Sequence, residues 1–349
     1  MNWRLKIVRS IPLFAILYAF AFGLACSPSL LQAADLIPIK FRQSFIPSEQ
    51  YIPEQIAIDK KFYEAQGLSV EMLRSTGGAN ATTLVAAGND QIGIAGASDV
   101  LIAQGKGLDV IGIAINTPQD PTAFISLRAN PIRSIAELRG KRVGAIAGST
   151  AFALLRALLA SNKLNENDIK IVLIGAGDLV SAIMGQRVDA IAAFETTNVP
   201  AIRAAGGDPV SFRFADAGLR VPGNVYMANG EFARTHHDVI SRFIVGTVHG
   251  WEEAAKDDGK EGLSLVIKAY PELAGQRAML GQRWEFRTAN NYNPYASARP
   301  VTIDQFKFDR RSTETLNSAL IGAGSIAAGI DLQKVFSNEF VDSAQKLMK

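Results

Sequence analysis

Gly77-Gly78-Ala79-Asn80-Ala81-Thr82-Thr83-Leu84-Val85-Ala86-Ala87-Gly88-Asn89-Asp90-Gln91-Ile92-Gly93-Ile94-Ala95 is the stretch that decides the fold, because the chain writes it a second time. A glycine pair opens a helix-like run that ends in Leu84, Val85, Ala86 and Ala87. Gly88 closes it, a polar step follows, and 92–95 is an apolar strand. About a hundred residues later Gly175-Ala176-Gly177 opens a run ending in Ala182, Ile183 and Met184. Gly185 and the polar pair Gln186-Arg187 follow, and then Val188-Asp189-Ala190-Ile191-Ala192. The closing glycine stands ten positions after a leading one in both copies, Gly78 to Gly88 and Gly175 to Gly185. An extended apolar segment precedes each, 68–73 and 169–174. One strand–glycine turn–helix–strand unit used twice predicts two similar α/β lobes with a cleft between them.

Length and composition agree. A chain of 349 residues that is 48% apolar buries enough surface for two cores. Arg4, Lys6 and Arg9, the apolar run 11–25, Ser27-Pro28-Ser29 and the small pair Ala33-Ala34 read as a secretory signal peptide over 1–33. A retained membrane anchor is the alternative. Beyond it no apolar run reaches the ~18 residues of a membrane span, so the mature chain is expected to be soluble. Removing the leader takes away three basic residues and turns the formal +3 (36 basic, 33 acidic) into 33 against 33. No basic stripe remains to argue for nucleic acid.

The single cysteine, Cys26, follows the apolar run. As a lipid-attachment site it would need a Leu-like residue three positions earlier, but Gly23 stands there and Leu24 comes one place late. If Cys26 leaves with the leader, the mature chain has no disulfide, no thiolate nucleophile and no cysteine metal ligand. Neither a metal site nor a cofactor is expected.

The rest of the chain reads as alternating elements. Strands are expected at 37–42, 68–73, 110–115 and 141–147, and helices at 54–66, 98–106 and 151–161, the first two closed by Gly67 and Gly107. The apolar segments 124–127 and 225–228, beside Pro121 and Pro222, are read as crossings between lobes. Helices are expected at 238–256, 262–269, 302–321 and 338–348, as a tail that returns to the first lobe. The domain organisation is therefore 34–122 for the first part of lobe 1, 123–227 for lobe 2, and 228–349 for the return.

Three loops sit where a strand hands over to a helix: Ser75 to Asn80, Ala95 to Asp99, and Ala147 to Ala151. Glycine lets the backbone approach a guest, unpaired helical N–H groups point outward, and hydroxyls and amides add donors. In open α/β sheets such loops gather at the carboxyl ends of the strands, where small ligands bind. The candidate ligand-binding residues are Thr76, Gly77, Gly78, Asn80, Ser98, Asp99, Gly148, Ser149 and Thr150, with Asn116 at the end of strand 110–115. Ser98 and Ser149 also read as ordinary helix N-caps. Glu195, leaving the apolar strand 190–194, is either a carboxylate that accepts from ligand N–H groups or one arm of a structural salt bridge. Phe45 and Tyr51 supply either an aromatic wall or cover for the lobe core.

No catalytic residue is assigned. His236, His237 and His249 all fall in the late helical region, away from the three loops. Gly148-Ser149 lacks the second glycine of a nucleophile elbow. Gly175-Ala176-Gly177 imitates a dinucleotide fingerprint, but Val180 stands where its third glycine belongs.

Tyr63-Glu64-Ala65-Gln66-Gly67-Leu68-Ser69-Val70-Glu71 with the Gly77-Gly78 loop, the run SIAELRGKRVGAIAG from Ser134 to Gly148, and Val188-Asp189-Ala190 followed by Phe194-Glu195 carry a resemblance. Over roughly 37–290 the chain resembles the solute-binding proteins for thiamine-pyrimidine precursors, sulfonates, nitrate and taurine, the extracytoplasmic subunits of ABC importers. The resemblance implies a two-lobed α/β fold of the type II periplasmic-binding-protein kind, each lobe a mixed sheet flanked by helices and hinged by two crossings. It further implies a periplasmic monomer that closes on a small-molecule solute, a thiamine-pyrimidine precursor first and a sulfonate, nitrate or flavin next, and hands it to an ABC permease. In the pyrimidine branch a Trp-x-Pro-Asn stretch and a later His lie at the mouth of the first loop, where this chain has Phe45, Pro47, Ser48 and Tyr51. Some relatives are pyrimidine-forming enzymes that use His and Cys chemistry, which is the competing class.

Overall fold

In the computed structural model the described residues are 36–349 without 165, 176, 297 and 298. The expected signal peptide, 1–33, and Cys26 lie outside them. Ten strands are found among the described residues: β1 (Ile37–Arg42), β2 (Leu68–Leu73), β3 (Ile92–Gly96), β4 (Val110–Ile115), β5 (Thr122–Leu127), β6 (Arg142–Ala145), β7 (Lys170–Leu173), β8 (Ala190–Phe194), β9 (Pro209–Arg213) and β10 (Asn224–Asn229). They form two five-stranded sheets, ordered β2-β1-β3-β10-β4 and β7-β6-β8-β5-β9.

The two orders are one order. In the first sheet β1 runs parallel to β2 and β3, and β10 runs antiparallel to β3 and β4. In the second, β6 runs parallel to β7 and β8, and β5 runs antiparallel to β8 and β9. The repeated unit of the sequence is thus the edge strand, helix and central strand of each sheet, β2 to β3 and β7 to β8. In each lobe the antiparallel strand is the first one made after the chain arrives from the other lobe. Segments 124–127 and 225–228, expected as crossings, therefore lie inside strands β5 and β10. The chain changes lobe just before them, along 116–121 and 214–223.

Burial follows position. Central β3 is buried at every residue and reads as an unbroken apolar run, whereas edge strands β2 and β7 are largely solvent-facing. The two copies close their helices differently. Gly88 takes φ +77°, a left-handed conformation that glycine enters without steric cost, but in the second copy Gly185 stays at φ −82° and Gln186 takes the left-handed role.

The long helix His237–Lys256 buries Phe243, Val248 and Trp251 against the first sheet. Its Gly250 lies so close to helix Ile52–Asp59 that a Cβ would meet the Pro53 carbonyl oxygen at 2.2 Å. The expected helix 54–66 is broken in two at Lys61, which has φ +62°. The expected helix 302–321 is a short 3₁₀ turn, Ile303–Phe306, and then a helix Arg310–Gly322 capped by Asp309, which accepts from the Ser312 amide at 2.8 Å. Among the helices not expected are Glu195–Ala204 and the polar Arg277–Ala289, besides the short Gly230–Thr235 and Leu332–Val335.

Candidate functional site

A cleft of about 430 Å³ opens at the carboxyl ends of the parallel strands of both sheets. Lobe 1 contributes the loop 44–50 after β1, the turn 76–78 after β2, and Gly96 at the end of β3. Lobe 2 contributes 146–151 after β6, and 192–194 and 196–198 around the end of β8. The third wall comes from Leu273, Gln276, Leu280, Arg283 and Arg287, along the unexpected helix Arg277–Ala289.

The floor is where the lobes touch. Thr150 Oγ1, from lobe 2, donates to Asp99 Oδ2 of lobe 1 at 2.7 Å. The same carboxylate oxygen accepts from the Gly96 amide at 3.2 Å, and burial pushes the Asp99 carboxyl up to about 6. Glycine is required here by space: a Cβ on Gly78 would meet Asp99 Oδ2 at 2.1 Å, and one on Gly96 would meet Thr150 Cγ2 at 2.6 Å.

Of the sequence candidates, Phe45, Thr76, Gly77, Gly78, Gly148, Ser149 and Thr150 line the cleft together. Two of the three hydroxyls among them, those of Ser149 and Thr150, already have work. Ser149 Oγ accepts from the Phe152 amide at 3.1 Å as a helix N-cap and donates to the Ile146 carbonyl at 2.8 Å. Thr150 is committed to Asp99. These loops therefore present backbone more than side-chain donors.

The remaining candidates do not line the cleft. Tyr51 is buried in the lobe 1 core, its hydroxyl 3.0 Å from Ser44 Oγ and accepting from the Phe45 amide at 3.2 Å. Asn80 Oδ1 accepts from Ser75 Oγ at 3.0 Å and so braces the turn from behind. Ser98 is buried at the start of helix Ala97–Gly105, and Asp99 serves the floor. Asn116 donates to Tyr226 Oη at 2.9 Å in a buried network in which Tyr226 donates in turn to Glu54. Burial pushes the Glu54 carboxyl up to about 7.

Glu195 does not line the cleft and sits in a buried bridge. It is 1% exposed, pairs with Arg213 Nε at 2.8 Å, and accepts from Tyr292 Oη at 2.6 Å. The Arg213 guanidinium also lies over the Tyr292 ring, 5.6 Å from its centroid. Through Tyr292 and Asn290, which accepts from Arg213 Nη2 at 2.8 Å, this cluster ties the end of the third wall to lobe 2. At its other face that wall joins lobe 1, with Trp284 stacked on Trp251 at 5.8 Å between centroids.

The charged groups of the cleft are ones that the sequence reading missed: Glu49, Arg283 and Arg287. Glu49 is 3% exposed, and its Oε2 meets no hydrogen-bond donor among the described residues. Burial raises its carboxyl above the ordinary range, while Arg283 and Arg287 pull in the opposite direction without reaching ion-pair contact. Arg283 Nε is buried and has no partner among the described residues. Among the described residues Arg287 is held by neutral groups, donating from Nε to Asn293 Oδ1 and from Nη2 to Thr117 Oγ1, both at 3.3 Å. The one available signal was the i, i+4 spacing of the two arginines, which places them on one helix face.

With this geometry in hand, comparison with known proteins is informative. The chain is 24% identical over 332 residues to riboflavin-binding protein RibY of Chloroflexus aurantiacus, covering 91% of each. It is 22% identical over 294 residues to 4-amino-5-hydroxymethyl-2-methylpyrimidine phosphate synthase of Legionella pneumophila, covering 83% of this chain and 88% of the relative. The fold superposes on the periplasmic aliphatic sulphonate binding protein SsuA from Escherichia coli with a TM-score of 0.65 at 16% identity, over 86% of this chain and 91% of that one. Residues 48–260, well over half of the chain, match the family described as NMT1/THI5 like. The two-lobed periplasmic-binding-protein fold and that match together make this chain a member of the NMT1/THI5-like family.

Proposed function

We propose that the protein is the extracytoplasmic solute-binding subunit of an ABC importer, which captures a small planar nutrient between its lobes and presents it to a permease. The observation that carries this reading is the cleft itself. It is of ligand size, walled from both lobes, apolar along Phe45, Ile46, Leu179, Phe194 and Leu280, and polar over much of the remaining lining. Phe45, 36% exposed, borders the cleft from lobe 1 and Phe194 from lobe 2, so each lobe offers an aromatic side chain to a flat ring.

Closure needs a solute that contacts both lobes better in the closed form than in the open one. The crossings suit such a hinge. They are two short adjacent segments, bonded to each other from the Thr117 amide to the Asn224 carbonyl at 2.9 Å and from the Gly223 amide to the Thr117 carbonyl at 3.0 Å. A periplasmic location, a signal peptide at 1–33 and a monomeric state belong to this proposal.

Among solutes, the thiamine-pyrimidine precursor has less specific support, because Glu195 Oε1 is engaged by Arg213 and Tyr292 and the residue does not line the cleft. The riboflavin-binding relative favours a flavin. The synthase relative keeps a second reading in view, that of an enzyme in pyrimidine formation. The test is a ligand-dependent melting series with riboflavin, 4-amino-5-hydroxymethyl-2-methylpyrimidine and taurine, followed by product analysis. A stabilising, saturable solute recovered unchanged supports the importer subunit, turnover supports the enzyme, and no shift with any solute removes the importer reading.

A further inference from the structure

We infer that Glu49, Arg283 and Arg287 form a reader for an imide edge, a ring N–H flanked by two carbonyl groups, as found on flavins and uracils. The inference rests on the importer reading above and names the chemistry that its cleft selects.

A carboxylate that is 3% exposed should have its oxygens paired, since a buried polar atom without a partner is costly. Glu49 has one oxygen without a donor, and Arg283 has a buried donor without an acceptor. Both residues border the same cavity. Their own mutual attraction does not bring them into contact, because no ion pair forms between Glu49 and either arginine among the described residues. Both side chains border the cavity, so a guest that presents one donor and one acceptor side by side offers each a partner once the two side chains turn toward it.

The arrangement then limits the guest. Among the described residues three charged side chains line this cavity, one acceptor and two guanidinium groups. A sulfonate or carboxylate solute would use the arginines but would set its anion beside Glu49. A cationic amine would use Glu49 but would meet two guanidinium groups. A neutral edge that reads acceptor–donor–acceptor uses all three: its central N–H donates to Glu49, and its carbonyl oxygens accept from Arg283 and Arg287. The two arginines stand one helical turn apart on one helix face and both border the cavity, Arg287 while also donating to Asn293 and Thr117. Phe45 and Phe194 cover the ring faces while the edge is read. A 4-aminopyrimidine edge, with an amino donor beside a ring-nitrogen acceptor, leaves one guanidinium unanswered.

The experiment is calorimetric titration of the purified chain with lumiflavin, 3-methyllumiflavin, uridine, 4-amino-5-hydroxymethyl-2-methylpyrimidine and taurine. The 3-methyl compound keeps the ring and both carbonyl groups but replaces the N–H with a methyl group. Lumiflavin should bind about a hundredfold more tightly than its 3-methyl form, the scale of a hydrogen bond to a charged group plus a blocked donor. Uridine should bind more weakly than lumiflavin and more tightly than taurine. In Glu49→Gln that preference for N–H over N–methyl should shrink to about tenfold or less. Arg283→Met should weaken lumiflavin and 3-methyllumiflavin alike, since the carbonyl contact is common to both. Circular dichroism and unchanged melting of the free variants establish that each is folded.

Equal affinities for lumiflavin and 3-methyllumiflavin overturn the assignment. So does tight binding of taurine or the aminopyrimidine with none of the imides, an outcome that leaves the importer reading intact. Failure of all five compounds overturns both.

Discussion

Glu195 and Glu49 are both buried carboxylates, one from each lobe, and they have opposite fates. Glu195 leaves a central strand of lobe 2 and is met by Arg213 at 2.8 Å and Tyr292 at 2.6 Å. Glu49 leaves the loop after the first strand of lobe 1, is 3% exposed, and keeps an oxygen without a donor. Position at a strand end marks a carboxylate as near the cleft. Only the inventory of its partners shows whether it is available to a guest.

The largest expected effect separates the two as structure against binding. Arg213→Ala leaves Glu195 buried with one partner instead of two and loosens the third wall. Because Arg213 is itself one-third exposed, the loss should fall below that of a fully buried pair, about 2–3 kcal/mol by urea denaturation. Glu49→Gln should leave stability within about 0.5 kcal/mol or raise it, since a buried charge with an unpaired oxygen becomes neutral. A comparable loss in both variants would erase the distinction.

Next in size is the floor between the lobes. Thr150→Val keeps the shape but removes the donor to Asp99, leaving that buried carboxyl the Gly96 amide alone. A cost of about 1–2 kcal/mol is expected in urea melts, and the lobes should separate more readily in small-angle scattering.

The pH dependence is a further test, smaller at any one residue. Burial raises Glu54 from its ordinary 4.5 to about 7, and Asp99 and Asp120 from 3.8 to about 6. Below the ordinary values both folded and unfolded chains are protonated and these groups contribute nothing. Between the ordinary and raised values the unfolded chain ionises and the fold resists, so stability falls as pH rises from about 4 to about 7 and then levels. Asp109 and Asp189, held low by Arg234 and Arg142, act in the opposite sense below that window. Glu54→Gln should remove the upper part of the slope in denaturation curves taken across pH.

The smallest stability effect is expected for Phe45→Ala, because the ring is already 36% exposed. The melting temperature of the free protein should barely move, while solute binding should weaken about tenfold through loss of an aromatic face. A large loss of stability would return Phe45 to the core and take one wall from the proposed cleft.

The fold was legible because its signals are local. Strands β1, β2 and β4 end at the residues where alternation or apolar runs end, and the glycine-closed helices follow the periodicity of their apolar faces. The duplicated unit gave two matching sheets because each copy carries its own turn and its own buried strand. Helix Arg277–Ala289 was invisible for the same reason. Its face carries Arg283, Arg287 and Gln276 nearby, polar groups that a sequence reading assigns to solvent. Likewise β9, with Pro209 and Arg213, shows no apolar run, and its pairing to β5 supplies the order.

By itself the sequence determined two α/β lobes, glycine turns at the carboxyl ends of their strands, and a cleft between them, since backbone preference and hydrophobic period act over a few residues. Tertiary structure alone decided which polar groups face that cleft unsatisfied. A hydrogen bond such as Tyr292 to Glu195 joins residues 97 positions apart. No local pattern records such a pairing, and it is the pairing that silences one carboxylate and leaves the other open.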